Sequence, residues 1–162
     1  MSIVKYNNNS VSDVTSGASL ASGAMTHIKT LTASSSATLS FVHGTSDVVL
    51  DSTYPVYLFK WISCHPANND TDFTVNFRDG GSNYDATKTT AYFSATINEA
   101  DSTTFVKHFM ARTNYSGHDE QSRDDFIAGY CNVTAAIDGV QFSFASGDID
   151  VGTIKLYGIK DS

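Results

Sequence analysis

Val140-Gln-Phe-Ser-Phe-Ala145, Ser146-Gly-Asp148 and Thr153-Ile-Lys-Leu-Tyr-Gly-Ile159 are the stretches that decide the fold. The first alternates apolar and polar side chains, the period of a strand with one buried face. Ser146-Gly-Asp148 carries the residues that turn a chain. The third stretch resumes the alternation and runs almost to the end of the sequence. Together they predict two neighbouring strands with the C-terminus pinned in a sheet.

Working outward, the same grammar recurs. Short β-type runs are expected at 26–32, 37–42, 47–51, 55–64, 72–78, 88–97, 103–112, 126–134, 139–145 and 151–159. Turn residues separate them: His43-Gly44, Asp51-Ser-Thr53, Asn68-Asn-Asp70, Asp79-Gly-Gly81 and Asn98-Glu-Ala-Asp101. The segment 114–125 is the most polar and reads as a loop. No helical period of useful length and no repeat at a solenoid or propeller spacing is present. Close spacing of short strands is the pattern of sandwiches and barrels.

Composition agrees. Ser and Thr supply 39 of the 162 residues, while only 17% are charged against about 25% in an average domain. Thr favours strands and Ser favours turns. Leu, Glu, Lys and Arg, the usual helix formers, are scarce. The fold class expected is an all-β antiparallel sandwich of one domain, residues 25–162, preceded by an extended arm, residues 1–24. The arm begins with the sticky run Ile3-Val4-Lys5-Tyr6 and continues through small and polar residues that drive little burial. It is expected either to fray or to order on a neighbouring molecule.

The net charge of −7 and the scattered basic residues argue against a nucleic-acid partner, which requires a basic face. They also argue against an anionic membrane surface. No apolar run approaches the roughly 18 residues of a membrane-spanning helix. The N-terminus lacks the apolar core of a signal peptide, so synthesis in a cytoplasm without export is expected. Cys64 and Cys131 each lie in an apolar run and read as free thiols behaving as small hydrophobes.

No group of residues announces chemistry. His27, His43, His65, His108 and His118 are dispersed, and no nucleophile elbow or metalloprotease motif occurs. Asp119, Glu120, Asp124 and Asp125, and Asp148 with Asp150, are carboxylates of the kind calcium uses, but they do not match an EF-hand loop. Solvated loop charges are the plainer reading. Tyr54, Tyr57, Trp61, Tyr84 and Tyr92 are candidates for a sugar-stacking platform; core or interface is the commoner use of such rings. No catalytic residue, cofactor or metal site is assigned.

One strand has two greasy faces. In Tyr54-Pro-Val-Tyr-Leu-Phe-Lys-Trp-Ile-Ser-Cys64, one face carries Val56, Leu58, Ile62 and Cys64, broken by Lys60; the other carries Tyr57, Phe59 and Trp61. A sheet with one wet face alternates more cleanly. Either a loop covers the second side, or the aromatic face packs on another subunit. The segment Thr104–Met110 shows the same habit more weakly. The candidate interface is therefore Tyr57, Phe59 and Trp61, with Ile3, Val4 and Tyr6 of the arm.

Several phrases carry a family likeness: Ser34-Ser-Ser-Ala-Thr-Leu-Ser-Phe-Val42, Ser46-Asp-Val-Val-Leu-Asp-Ser-Thr-Tyr-Pro-Val-Tyr-Leu-Phe-Lys60, Gly80-Gly-Ser-Asn-Tyr84, Ser102-Thr-Thr-Phe-Val-Lys-His-Phe109 and Gly152-Thr-Ile-Lys-Leu-Tyr-Gly-Ile159. Over residues 26–160 the chain resembles small structural proteins in the virions of marine tailed bacteriophages. The resemblance implies a jelly-roll sandwich in an oligomeric, non-enzymatic virion component, assembled in the host cytoplasm. Two placements are open. One is a capsid decoration (cement) protein bound outside the major capsid protein as a homotrimer. The other is a tail or fibre component touching host glycan. The absence of coiled-coil heptads and of a repetitive shaft, and the acidic charge, lean toward decoration.

Overall fold

The structure is a computed structural model and describes residues 24–81, 89–90, 94–98, 100, 102–116 and 121–160. The arm residues Ile3, Val4 and Tyr6 lie outside the described residues. So do Tyr84, Tyr92, His118, Asp119 and Glu120.

Among the described residues the chain is all-β, with ten strands: β1 Met25–Ser36, β2 Leu39–Val42, β3 Val56–Pro66, β4 Phe73–Arg78, β5 Thr89–Thr90, β6 Ser94–Asn98, β7 Lys107–Ser116, β8 Ser122–Cys131, β9 Gly139–Phe144 and β10 Ile149–Ile159. They form a six-stranded sheet, ordered β1-β10-β3-β6-β7-β8, and a four-stranded sheet, ordered β2-β9-β4-β5. Every pairing is antiparallel. The consecutive strands β7 and β8 sit together at one edge of the larger sheet. Without them, two sets of four strands remain.

Alternation places one face of each sheet inward. From the smaller sheet come Leu39, Phe41, Phe73, Val75, Phe77, Val140 and Phe142; from the larger, Tyr57, Phe59, Phe109, Ala111, Ile154 and Leu156. The rings interlock across the gap. Phe142 meets Phe59 at 5.3 Å, Trp61 at 5.1 Å and Phe41 at 6.1 Å, all edge to face, and stacks on Phe73 at 6.0 Å. Phe77 reaches Phe109 at 5.9 Å, joining the β7–β8 hairpin to the same core. Edge-to-face contacts add to the area term of such large apolar side chains.

The interface expected of Tyr57, Phe59 and Trp61 is therefore corrected. Tyr57 and Phe59 are fully buried within their own subunit, and Trp61 is half-buried against Phe73 and Phe142. Their partners are the phenylalanines of the opposite sheet. No second subunit is needed to remove them from water. Burial of Tyr57 and Trp61 likewise takes away a sugar-stacking face, and Tyr54 lies against Gly158, where an added Cβ would come within 2.3 Å of its ring.

The end of the Tyr57 side chain organises the preceding loop. Its hydroxyl donates to the carbonyl of Asp51 at 2.7 Å and accepts from the Asp51 amide at 2.9 Å. Val48 and Leu50 are buried, but residues 47–51 form no strand. Ser46 and Asp47 take left-handed backbone angles that a strand excludes. Tyr57→Phe is expected to cost about 1–2 kcal/mol in urea unfolding, because both Asp51 backbone groups lose a partner while the ring stays packed.

Candidate interaction surface

The wet side of the six-stranded sheet is where the molecule departs from an ordinary polar surface. Register places one row of directly opposed residues across all six strands: His27, Tyr157, Leu58, the backbone position of Thr96, Met110 and Ala128. His27 and Tyr157 touch edge to face at 5.3 Å. Parallel to this row run His108 opposite Tyr130 and Arg112 opposite Phe126.

Among the described residues three large apolar side chains are exposed on the hairpin, while Met25, Ile62, Phe105 and Val151 are exposed elsewhere. Phe126 is 76% exposed, Met110 53% and Tyr130 52%, and Ala128 between them is exposed as well. Phe126, Ala128 and Tyr130 are alternate residues of β8, so they share one face; Met110 joins them from β7. Single exposed apolar side chains need no explanation, whereas several on one flat face mark a binding surface. Aromatic residues and Met are the types enriched at interface cores.

The hairpin is held rigidly from the other side. Lys107, almost fully buried, donates its ammonium to the carbonyls of Val133 at 3.3 Å and Ala135 at 2.5 Å. This fastens the segment after β8 to the start of β7. Phe109 lies beneath Gly129, where an added Cβ would stand 2.4 Å from the ring. Glycine here lets the ring tuck under the edge strand. Ile127 packs against the core. The outward side chains thus stand on a fixed frame, which lowers the ordering cost of binding.

Charge enters the patch where Arg112 stands opposite Phe126. Arg112 pairs with Asp124 at 2.8 Å through two hydrogen bonds. The guanidinium holds the Asp124 carboxyl below its ordinary value, chiefly by that hydrogen bonding. Asp125 is not opposite Arg112 but on the other face of β8, opposite Thr113. The two neighbouring carboxylates therefore point apart. Among the described residues no group of three or more His, Cys, Asp or Glu side chains gathers as metal ligands would. Asp150 accepts from the Ser35 hydroxyl at 3.3 Å, and the Asp148 carbonyl accepts from the Ala67 amide at 2.9 Å.

Neither cysteine is in a disulfide; Cys131 is buried and Cys64 half-buried. Burial pushes the Cys64 thiol up, so it is a poorer nucleophile than an ordinary cysteine.

The sequence reading did not single out Phe126, Ala128 or Tyr130, and it reached Met110 only as the end of the weakly two-sided segment Thr104–Met110. Their signal was present: in Phe126-Ile-Ala-Gly-Tyr-Cys131, apolar residues occupy both phases of the alternation, as in β3. No protein-family model, curated protein or solved structure matches the chain.

Proposed function

We propose that this chain is a non-enzymatic structural protein of a tailed-phage virion. It decorates the outer capsid surface and docks through the β7–β8 face of its six-stranded sheet. The observation that carries the reading is that exposed face, with Met110, Phe126 and Tyr130 presented on a hairpin anchored to the core. The resemblance of its residue phrases to those of virion proteins of marine tailed phages supports it. So does the strand order: β1-β10-β3-β6 opposite β2-β9-β4-β5 is read here as a jelly roll with one inserted hairpin. The net charge of −7 suits a surface away from packaged DNA.

The mechanism is mass action. A protein that binds assembled shell better than loose subunits stabilises the shell by the difference in binding free energy. Repetition over a symmetric lattice multiplies a modest contact. The partner is the major capsid protein.

Co-sedimentation with undecorated heads tests the proposal. The parent chain is expected to pellet with heads and to raise their disruption temperature. Met110→Asp is expected to weaken binding at least about tenfold, the effect of losing some 1.4 kcal/mol. Because Met110 points to solvent, the variant keeps its fold. Failure of the parent to bind heads, together with binding to tails or to a glycan array, would move the protein to the tail.

A further inference from the structure

We propose that the outward face of β3 and β10 holds a cationic strip, Lys60 beside Lys155, that receives an acidic segment of a partner protein, its Asp or Glu side chains spaced by apolar ones. The two lysines are directly opposed in the antiparallel β3–β10 pair. Directly opposed residues share a face and carry their Cβ atoms about 4.5–5.5 Å apart, and like charges set so destabilise a sheet. Neither lysine joins an ion pair among the described residues. The chain has only ten Lys and Arg against a net charge of −7, yet two of them meet here without a carboxylate. Local rules of this kind are broken at functional sites, where the cost is repaid by binding.

Register extends the strip. Thr30 of β1 stands opposite Lys155, and the backbone position of Ser94 opposite Lys60. Arg112, two residues beyond Met110 on β7, lies farther along the same face, where Asp124 already pairs with it.

The flanks select the occupant. Leu58 and Ile62 stand two residues to either side of Lys60 on the same face; Ile62 is 39% exposed and Leu58 half-buried. Opposite them are Tyr157 and Thr153. A uniform polyanion, such as a nucleic acid or a sulfated glycan, would meet apolar side chains on both sides of two charges and be repelled by the rest of an acidic surface. A polypeptide with carboxylates between apolar residues matches both features. The ammonium groups gain counter-charges, and Leu58 and Ile62 gain cover. The inference rests on the reading that this sheet is the docking face, and adds the chemistry of what docks there.

Two probes test it. The first is the undecorated head, in co-sedimentation over a range of NaCl. Binding of the parent is expected to weaken as salt rises, because exposed charges are screened. Lys60→Gln/Lys155→Gln is expected to bind at least about tenfold more weakly at low salt, with a flatter salt dependence. The second probe is a soluble peptide of five Leu-Glu repeats, titrated by NMR beside a heparin hexasaccharide. The peptide is expected to shift the signals of Leu58, Lys60, Ile62 and Lys155, and to lose at least about tenfold in affinity for the double variant. The isolated double variant is expected to melt no lower than the parent, since it relieves a like-charge opposition. A peptide indifferent to the substitutions, a heparin fragment that binds the strip more tightly than the peptide, or a variant that melts several degrees lower would overturn the inference. Heads that hold parent and double variant alike at every salt concentration would overturn it too and leave the capsid role standing. Heads that ignore a parent which still discriminates the peptide would refute the capsid role and leave the strip standing.

Discussion

Phe142→Ala is expected to lower the unfolding free energy by about 3–5 kcal/mol, the usual cost of deleting a buried aromatic ring. Phe142 is fully buried and touches the rings of Phe41, Phe59, Trp61 and Phe73, so no single neighbour can fill the space it leaves. Small domains have about 5–15 kcal/mol of stability in total. The variant should therefore unfold at a much lower urea concentration, with an unchanged denaturant slope if only stability is lost. The comparison with Phe59→Ala is informative. Phe59 lies on the face first expected to contact another subunit. As a core residue it should behave like Phe142, with a stability loss that is independent of protein concentration. A loss that grew on dilution would instead return Phe59 to an interface.

Gly152→Ala should be nearly as damaging, at about 2–5 kcal/mol. The backbone of Gly152 has φ of 142°, a region that side chains other than glycine rarely enter. A Cβ there would stand 2.6 Å from the Cα of Cys64 and 3.0 Å from the Ser63 carbonyl. Backbone atoms cannot swing aside as a side chain can. The site lies where the β3–β10 register slips between Ile149 and Thr153, and Ser63 itself takes a positive φ of 50°. This bulge lets two long strands stay paired through a bend. Thermal unfolding followed by circular dichroism reads the loss, and Gly147→Ala serves as a comparison. Gly147 (φ 78°) faces only the Asn68 side chain, so that substitution combines left-handed strain with a contact that can move, and should cost less.

Much of the architecture was legible in the residues. The alternation in 139–145 and 151–159 became β9 and β10, with Gly147 in the turn between them. Asp79-Gly80 ends β4, where Gly80 takes φ of 88° and its amide donates to Asp138 at 3.1 Å. Two departures have physical causes. The hairpin strands were expected at 103–112 and 126–134 but run at 107–116 and 122–131. Cross-strand bonds carry the ladder into the polar stretch: Arg112 with Asp124, and the Asn114 amide with the Ser122 hydroxyl at 3.3 Å. Pairing there overrides the low strand propensity of Asn and Asp.

The orientation of β3 was harder to read. Alternation shows that Tyr57, Phe59 and Trp61 share a face, but not whether that face turns in or out. The deciding information lay elsewhere in the chain. Phe41, Phe73, Phe77 and Phe142 recur on single faces of their own strands and require partners across the core. Once those rings claim the aromatic face of β3, its other face must be the wet one. That places Leu58 in the outward row with Met110 and Ala128, and it is why the proposed docking surface is the hairpin and not the aromatic triplet.

A density map of a decorated head, resolved well enough to see side chains, would show which face meets the shell. The six-stranded sheet is expected to turn toward it, with Met110, Phe126 and Tyr130 in contact with protein and Tyr57 and Phe59 enclosed by their own chain. A map with those first three residues facing open solvent, and the shell gripped through the four-stranded sheet, would contradict that expectation.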